Sequence, residues 1–210
     1  MKLTTYFRST AAYRVRIALN LKGIKHQRVP LNLFTGEQKS DDFLETNPDG
    51  LIPVLDTGSD ILTQSMAILE YLEETQVEVK LLPEDPVDRA FVRALAQTIV
   101  SDIHPLNNLR VQQYLTKEMG VTKEQKLQWY QHWIATGFRG LEKRLTKSAG
   151  SFCVGEAVSI ADVCLIPQVY NAHRFSCPMD DYPTINRLNE ACLKLESFAS
   201  AAPHLQADAT

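Results

Sequence analysis

The chain has 210 residues and a formal net charge of −3, with 44% apolar and 22% charged residues. That length buries one large core or two smaller ones, and that balance excludes a disordered chain. No basic block or tail offers a footprint for nucleic acid, and no apolar run is long enough to span a bilayer. Met1 to Tyr6 lack a signal-peptide core, so the cytoplasm is the expected compartment.

Lys2 to Phe7 reads as a strand. Ala11 to Leu21 reads as a helix with Ala11, Val15, Ala18 and Leu19 on one face, preceded by Ser9 and Thr10 as capping hydroxyls and stopped by Gly23. Val29, Leu31 and Leu33 alternate as a second strand, and Pro30 confines that strand to a sheet edge. A strand, a helix and a strand in this order predict parallel pairing through a right-handed crossover. Asp41 to Leu44 predicts a short helix ended by Asn47-Pro48-Asp49-Gly50. Leu51 to Leu55 and Asp60 to Thr63, flanking Thr57-Gly58-Ser59, predict an antiparallel hairpin. Ser65 then reads as the N-cap of a helix carrying Met66, Leu69 and Leu72 on one face.

Leu81-Leu82-Pro83-Glu84-Asp85-Pro86 is a proline-bracketed connector, after which the pattern becomes helical throughout. Helices are predicted over Asp88 to Ile103, Leu106 to Met119 and Thr122 to Leu145, the last with Thr122 and Gln125 at capping-box spacing. Ser159 and Asp162 repeat that spacing before an apolar run. Pro183 opens a last helix, Thr184 to Phe198, and the tail from Ala201 is expected to fray. The fold class is therefore α+β. A sheet-bearing domain spans residues 1–82, a linker 83–87, and an all-helical domain 88–210.

Cys153, Cys164, Cys177 and Cys192 are widely spaced, with no Cys-x-x-Cys pair, and no two of the five histidines stand at i, i+4. Neither a metal site nor a dithiol redox centre is expected, and the cysteines read as free and buried. Chemistry gathers instead in four places. Ser9 and Thr10 stand where the orphan N–H groups of a helix start favour an anion such as a thiolate, carboxylate or phosphate, although a plain helix cap has the same pattern. Ile52-Pro53 heads a strand where a cis bond would free the Ile52 backbone to pair with an extended peptide. Gln64-Ser65 is a second helix start suited to a carboxylate. Arg8, Arg110 and Arg174, with His104 and Asn108, form a cationic group able to clamp carboxylates, against a plain reading as solvated charges.

The run from Phe7 through Arg8-Ser9-Thr10-Ala11-Ala12-Tyr13-Arg14 to Leu19 resembles the N-terminal signature of zeta-class glutathione transferases, whose type activity is maleylacetoacetate isomerisation. Matching stretches follow along nearly the whole chain. They include Asn47-Pro48 leading to Ile52-Pro53, Gln64 to Glu74, Leu81-Leu82-Pro83 and Asp102 to Val111. Cys153-Val154-Gly155, Ala161 to Gln168 and Asn171 to Phe175 complete the set.

The resemblance implies a thioredoxin-like N-terminal domain that binds glutathione as cofactor, an all-helical C-terminal domain, and a homodimer. Ser9, Thr10 and Arg14 would form the catalytic set, with Ser9 on the glutathione sulfur and Ala11, Ala12 and Tyr13 lining the site. Gln38 and Ile52 would contact the peptide, and Gln64 and Ser65 would take the γ-glutamyl carboxylate. His104, Asn108, Leu109 and Arg110 match the segment by which the helical domain reaches glutathione. Arg8, Arg110 and Arg174 would meet a small dicarboxylate substrate. Animal members carry Ser-Ser-Cys where this chain has Ser9-Thr10-Ala11, so the sulfur of the reaction must come from glutathione alone. The implied function is glutathione-dependent conversion of maleylacetoacetate to fumarylacetoacetate in tyrosine and phenylalanine breakdown. The rivals are maleylpyruvate isomerisation in gentisate breakdown, transfer of glutathione to small α-halo acids, and a non-catalytic interaction domain.

Overall fold

The computed structural model describes residues 1–209. Contacts divide the chain into two compact units, one of Met1–Lys80 with Leu193–Thr210 and one of Leu81–Cys192. The first holds a four-stranded mixed sheet in the order β2-β1-β3-β4. Its strands are β1 (Lys2–Thr5), β2 (Gln27–Pro30), β3 (Val54–Asp56) and β4 (Ile61–Thr63). β1 runs parallel to β2 and antiparallel to β3, which pairs antiparallel with β4. This arrangement and the helices around it are those of a thioredoxin-like domain.

Pro30 lies on the edge strand, as its missing N–H requires, opposite Thr5. The Thr5 carbonyl turns to the next residue and accepts from the Leu31 N–H at 2.9 Å. β2 therefore ends at Pro30, short of the expected Leu31 and Leu33. β1 likewise stops at Thr5, and Tyr6 to Ser9 form a turn closed by the Ser9 N–H on the Tyr6 carbonyl at 3.0 Å.

The turn delivers the chain into α1 (Thr10–Leu21). This helix is buried nearly all round, from Ala12 through Leu19, so the single apolar stripe read from the sequence understates it. Arg14 and Arg16 are consequently buried in spite of their charge. α2 (Asp41–Thr46) is capped by Ser40, and α3 (Ser65–Thr75) follows the hairpin. Lys22, just past α1, anchors it to the end of α3: its ammonium reaches Glu73 Oε2 at 2.9 Å and donates to the Gln76 and Val79 carbonyls.

Among the described residues, the C-terminal segment as far as Ala209 belongs to this unit and does not fray. Asn20 Nδ2 donates to the Ser197 carbonyl, Arg16 Nε to the Ala201 carbonyl, and Arg28 Nη1 to Gln206 Oε1. Ala201, Ala202, Pro203 and Gln206 are buried. By contacts, the residues from Leu193 to Ala209 group with the sheet-bearing unit. The polar groups that recruit them, Arg16 and Asn20, sit inside an apolar helix where periodicity does not report them.

The second unit is helical. α4 (Pro86–Gln97) is capped by Asp85, whose carboxylate accepts from the Val87 and Asp88 N–H groups. The expected single helix to Ile103 breaks at Gln97 into a π-helical turn, Thr98–Ile103, followed by a 3₁₀ turn, Pro105–Asn107. A Cβ at Gly137 would collide with Ile103 Cδ1 and Cγ1, so the glycine lets the wider turn press against its neighbour. α5 (Leu109–Lys117) starts later than expected, on Asn108 as cap. α6 (Lys123–Ser148) opens with the expected capping box of Thr122 and Gln125. α7 (Ile160–Arg174) opens with the Ser159–Asp162 box. The last predicted helix is split into α8 (Pro183–Leu193) and α9 (Glu196–Ala199). Among the described residues no helix is long and apolar enough to cross a membrane, and no cluster of metal-ligating side chains occurs.

Candidate active site

In the first unit the site is built around the start of α1. Ser9 is the N-cap, with extended backbone, and its Oγ accepts from the Ala12 N–H at 3.2 Å. Its hydroxyl hydrogen stays available for an anion, because a capping oxygen uses only lone pairs. No acidic residue occupies the first turn of α1, so the partial positive charge there is met by no carboxylate of the helix itself. Ser9 and Ala11 are half-buried, Thr10, Ala12 and Tyr13 are buried, and no cysteine stands at the helix start.

A second helix start is tied to the first. Arg14 Nη1 donates to Ser65 Oγ at 3.2 Å, both residues being buried. Ser65 is not the N-cap that its hydroxyl predicts. It is the first helical residue of α3, and the cap is Gln64, at φ 64° and ψ 116° with its side chain exposed. A glutamine at positive φ is a strained position, of the order of 1–3 kcal/mol, held by the surrounding structure. At this helix start Ser65 faces inward to Arg14 and the Gln64 side chain is exposed.

The third wall is backbone. The Ile52-Pro53 bond is cis, and among the described residues the Ile52 N–H and C=O meet no hydrogen-bond partner. The turn before it is fixed by Asn47, whose Nδ2 donates to the Leu51 carbonyl at 2.7 Å. Gly50, at φ 61°, lies so close to the Gln38 carbonyl that an added Cβ would stand 3.0 Å from it. Gln38 is thereby held beside this turn. It is buried, and its Oε1 has no partner among the described residues. A buried amide oxygen of that kind is open to a donor from outside the chain.

In the second unit, His104, Asn108, Leu109 and Arg110 follow the π-helical turn in one short segment. Asn108 caps α5 through Oδ1 to the Arg110 N–H at 3.1 Å, and its Nδ2 lies 3.5 Å from His104 Nε2. The Arg110 side chain is exposed. Arg174 closes α7, exposed, with its guanidinium 5.0 Å from the centre of the Phe175 ring. Phe175 stacks on Tyr130 at 3.7 Å, and the Tyr130 carbonyl accepts from Asn107 Nδ2. α6 thus links the His104 segment to the Arg174 end of α7. Burial pushes the Tyr130 phenol well up, and the Arg174 cation partly opposes that shift. Tyr130 and Asn107 escape sequence reasoning because they sit on an amphipathic core face, with no spacing that marks them.

Arg8, in the first unit, is half-buried with its guanidinium 4.7 Å from the centre of the Phe7 ring. The four cysteines are free and buried, all in the second unit. Burial pushes the Cys177 thiol up to about 11 and raises those of Cys153 and Cys192 as well. At these three positions the shift favours the thiol over the nucleophilic thiolate.

Residues 8–75 match the model of the glutathione S-transferase N-terminal domain. A probable maleylacetoacetate isomerase of Vibrio cholerae is 51% identical over 206 residues, covering 97% of this chain and 96% of that protein. A zeta-class glutathione S-transferase of Euphorbia esula is 43% identical over 211 residues, covering 100% of this chain and 93% of that protein. The chain belongs to the zeta class of glutathione transferases. Within that class, a solved bacterial maleylpyruvate isomerase superposes with a TM-score of 0.98 at 40% identity, covering all of both chains. A maleylacetoacetate isomerase of Anaeromyxobacter dehalogenans reaches 0.89 at 39% identity, covering 100% of this chain and 97% of that one. It was solved with dicarboxyethyl glutathione and citrate in its active site.

Membership in the zeta class gives the walls of the first unit a common reading. The first unit brings together a helix start with a free hydroxyl hydrogen, a strained helix start beside a buried arginine, and the unengaged backbone of Ile52.

Proposed function

We propose that this chain is a glutathione-dependent cis–trans isomerase that converts maleylacetoacetate to fumarylacetoacetate. The observation that carries the reading is the start of α1: a half-buried serine cap on a first turn that holds no carboxylate of its own. Glutathione fits the residues present. The Ile52 backbone offers an unengaged donor and acceptor, Gln38 Oε1 lacks a donor, and Gln64 and Ser65 stand at a helix start. The dicarboxyethyl glutathione in the Anaeromyxobacter relative is the adduct expected when that thiol adds to a four-carbon ene-dicarboxylate, which supports the same chemistry here.

Bound glutathione supplies a thiolate that adds reversibly to the cis double bond, making it a single bond free to rotate, and is returned unconsumed. Ser9 Oγ–H donates to that sulfur, and the N-terminus of α1, lined by Thr10, Ala11, Ala12 and Tyr13, holds it ionised. Arg14 orients Ser65, so that Gln64 and Ser65 take the γ-glutamyl carboxylate. The Ile52 backbone and Gln38 hold the remaining peptide, and His104, Asn108, Leu109 and Arg110 are the helical unit's contribution. Arg8, Arg110 and Arg174 take the substrate carboxylates, so the ends stay fixed while the centre turns. A homodimer in the cytoplasm completes the proposal. The four free cysteines support a reducing compartment, and sedimentation of the purified chain tests the dimer.

Maleylpyruvate is the second reading, favoured by the 0.98 superposition on a maleylpyruvate isomerase. Both substrates carry the same cis ene-dione acid and differ beyond the ketone. Parallel assays on the two, with and without glutathione, test the proposal. Faster turnover of maleylacetoacetate, abolished without glutathione, is the expected result. A preference for maleylpyruvate selects the second reading, and no isomerisation of either removes the function.

A further inference from the structure

The turn that carries Ser9 is gripped from both sides by groups that do not touch the proposed glutathione site. Arg16, fully buried in α1, donates from Nη1 to Thr5 Oγ1 at 3.0 Å and to the Tyr6 carbonyl at 3.4 Å. Its Nη2 donates to the Phe7 carbonyl at 3.2 Å and its Nε to the Ala201 carbonyl at 3.0 Å. Opposite, the Asp208 carboxylate accepts from the Phe7 N–H at 2.9 Å. The Tyr6 carbonyl and the Phe7 N–H belong to one peptide group. Its oxygen therefore faces a cation and its hydrogen an anion, and reversing it would set carbonyl against carboxylate and N–H against guanidinium. The same Tyr6 carbonyl closes the turn by accepting the Ser9 N–H. Orientation of this one peptide thus decides where Ser9 stands.

Asp208 is itself held. Gln206, two residues earlier, is buried, donates to the Ser200 and Ala202 carbonyls and accepts from Arg28. Ala209 packs against the cluster of Tyr6, Phe7, Leu31 and Ile52. The C-terminal segment therefore braces both the serine turn and the residue whose backbone is proposed to hold the peptide.

We infer that Arg16 and Asp208 are positioning residues for catalysis: together they lock the Tyr6–Phe7 peptide and so set the Ser9 hydroxyl on the sulfur. Neither touches the reacting atoms. The inference rests on the reading of Ser9 as the thiolate's donor, and a displacement of an ångström at such a donor costs a large factor in rate. Loss of Asp208 frees one side of the peptide without opening the core. Loss of Arg16 opens both.

Asp208→Ala, Asp208→Asn and Arg16→Lys test this in the full-length protein, with Ser9→Ala alongside. Two quantities are measured: amide hydrogen exchange at Phe7 and Ser9, and kcat and KM for glutathione-dependent isomerisation. Asp208→Ala is expected to speed exchange at both amides and to lower kcat roughly ten-fold. The KM for the dicarboxylate should stay the same. Asp208→Asn keeps an acceptor for the Phe7 N–H and should recover most of kcat. Arg16→Lys should lower kcat further if it folds, and Asp208 carries the test if it does not. Unchanged exchange in Asp208→Ala overturns the lock whatever the activity does. Faster exchange with unchanged kcat, while Ser9→Ala is strongly impaired, also overturns it, leaving a purely structural brace. If Ser9→Ala is itself unimpaired, the donor reading of Ser9 fails. The exchange data then still decide whether the peptide lock exists.

Discussion

Two of the serine-capped helices, α1 and α7, use the cap in opposite ways. At α7, Ser159 is followed three residues on by Asp162, which is fully buried. That carboxylate accepts from the Ser159 N–H at 2.9 Å, the Ser159 hydroxyl at 2.8 Å and the Cys153 N–H at 2.8 Å. Burial pushes the Asp162 carboxyl up, and those donors pull it back down. The helix start is closed by its own acid. At α1 the equivalent third position is Ala12, the one before it is Ala11, and the first turn has no acid. The α7 start spends its polarity on stability, whereas the α1 start keeps its polarity for a ligand.

Mutations that break each half of this contrast should have different readouts. Asp162→Ala strips the Ser159 N–H, the Ser159 hydroxyl, the Cys153 N–H and the Cys192 thiol of their acceptor and should destabilise the fold by about 3–5 kcal/mol, read by thermal or urea unfolding. A loss below ~1 kcal/mol would mean that the buried box is decorative. Ser9→Ala should lower isomerase kcat by about 10²-fold, the scale of a lost oxyanion-type donor. Its stability should fall by no more than about 1 kcal/mol, the ordinary value of a cap. If unfolding suffers more than turnover, Ser9 is a cap like Ser159.

Ala11→Asp sharpens the contrast by giving α1 the acid it lacks. A carboxylate in the first turn should leave the helix as stable or slightly more so. It should raise the KM for glutathione about ten-fold, through repulsion of a thiolate and competition for the N–H groups. An unchanged KM would place the thiol elsewhere. The smallest effect concerns the protein's own sulfur. Alkylation of the native chain near pH 7 should be slow at all four cysteines. Cys177, with its thiol at about 11, should gain roughly ten-fold in rate per pH unit as pH rises toward that value. Fast loss of a native thiol at pH 7, with loss of activity, would show that a cysteine takes part.

Much of this is legible in the sequence where local chemistry decides the outcome. Pro30 marks an edge, Thr122 and Gln125 a capping box, Gly23 a helix stop, and Ser9 a helix start. The misses arise where distant residues decide. Ser65 has the side chain of a cap, yet it is the first helical residue, bonded to Arg14 fifty-one residues away, and the cap is Gln64 at positive φ. The tail from Ala201 looks unremarkable in composition, yet the buried Arg16 of α1 holds it by the Ala201 carbonyl. The break at Gln97 carries no proline or glycine, and the π-helical turn that follows ends at Ile103, pressed against Gly137. Arg16 resembles any helical arginine until burial shows that its whole guanidinium is committed to backbone and hydroxyl oxygens.

The most direct test is the acidity of glutathione on the protein, followed by thiolate absorbance against pH for the parent chain and Ser9→Ala. A thiol pKa on the parent at least about one unit below that of free glutathione, returning most of the way in Ser9→Ala, is the predicted result. A bound thiol that titrates like free glutathione in both proteins would contradict the assignment of the α1 start as the thiolate site.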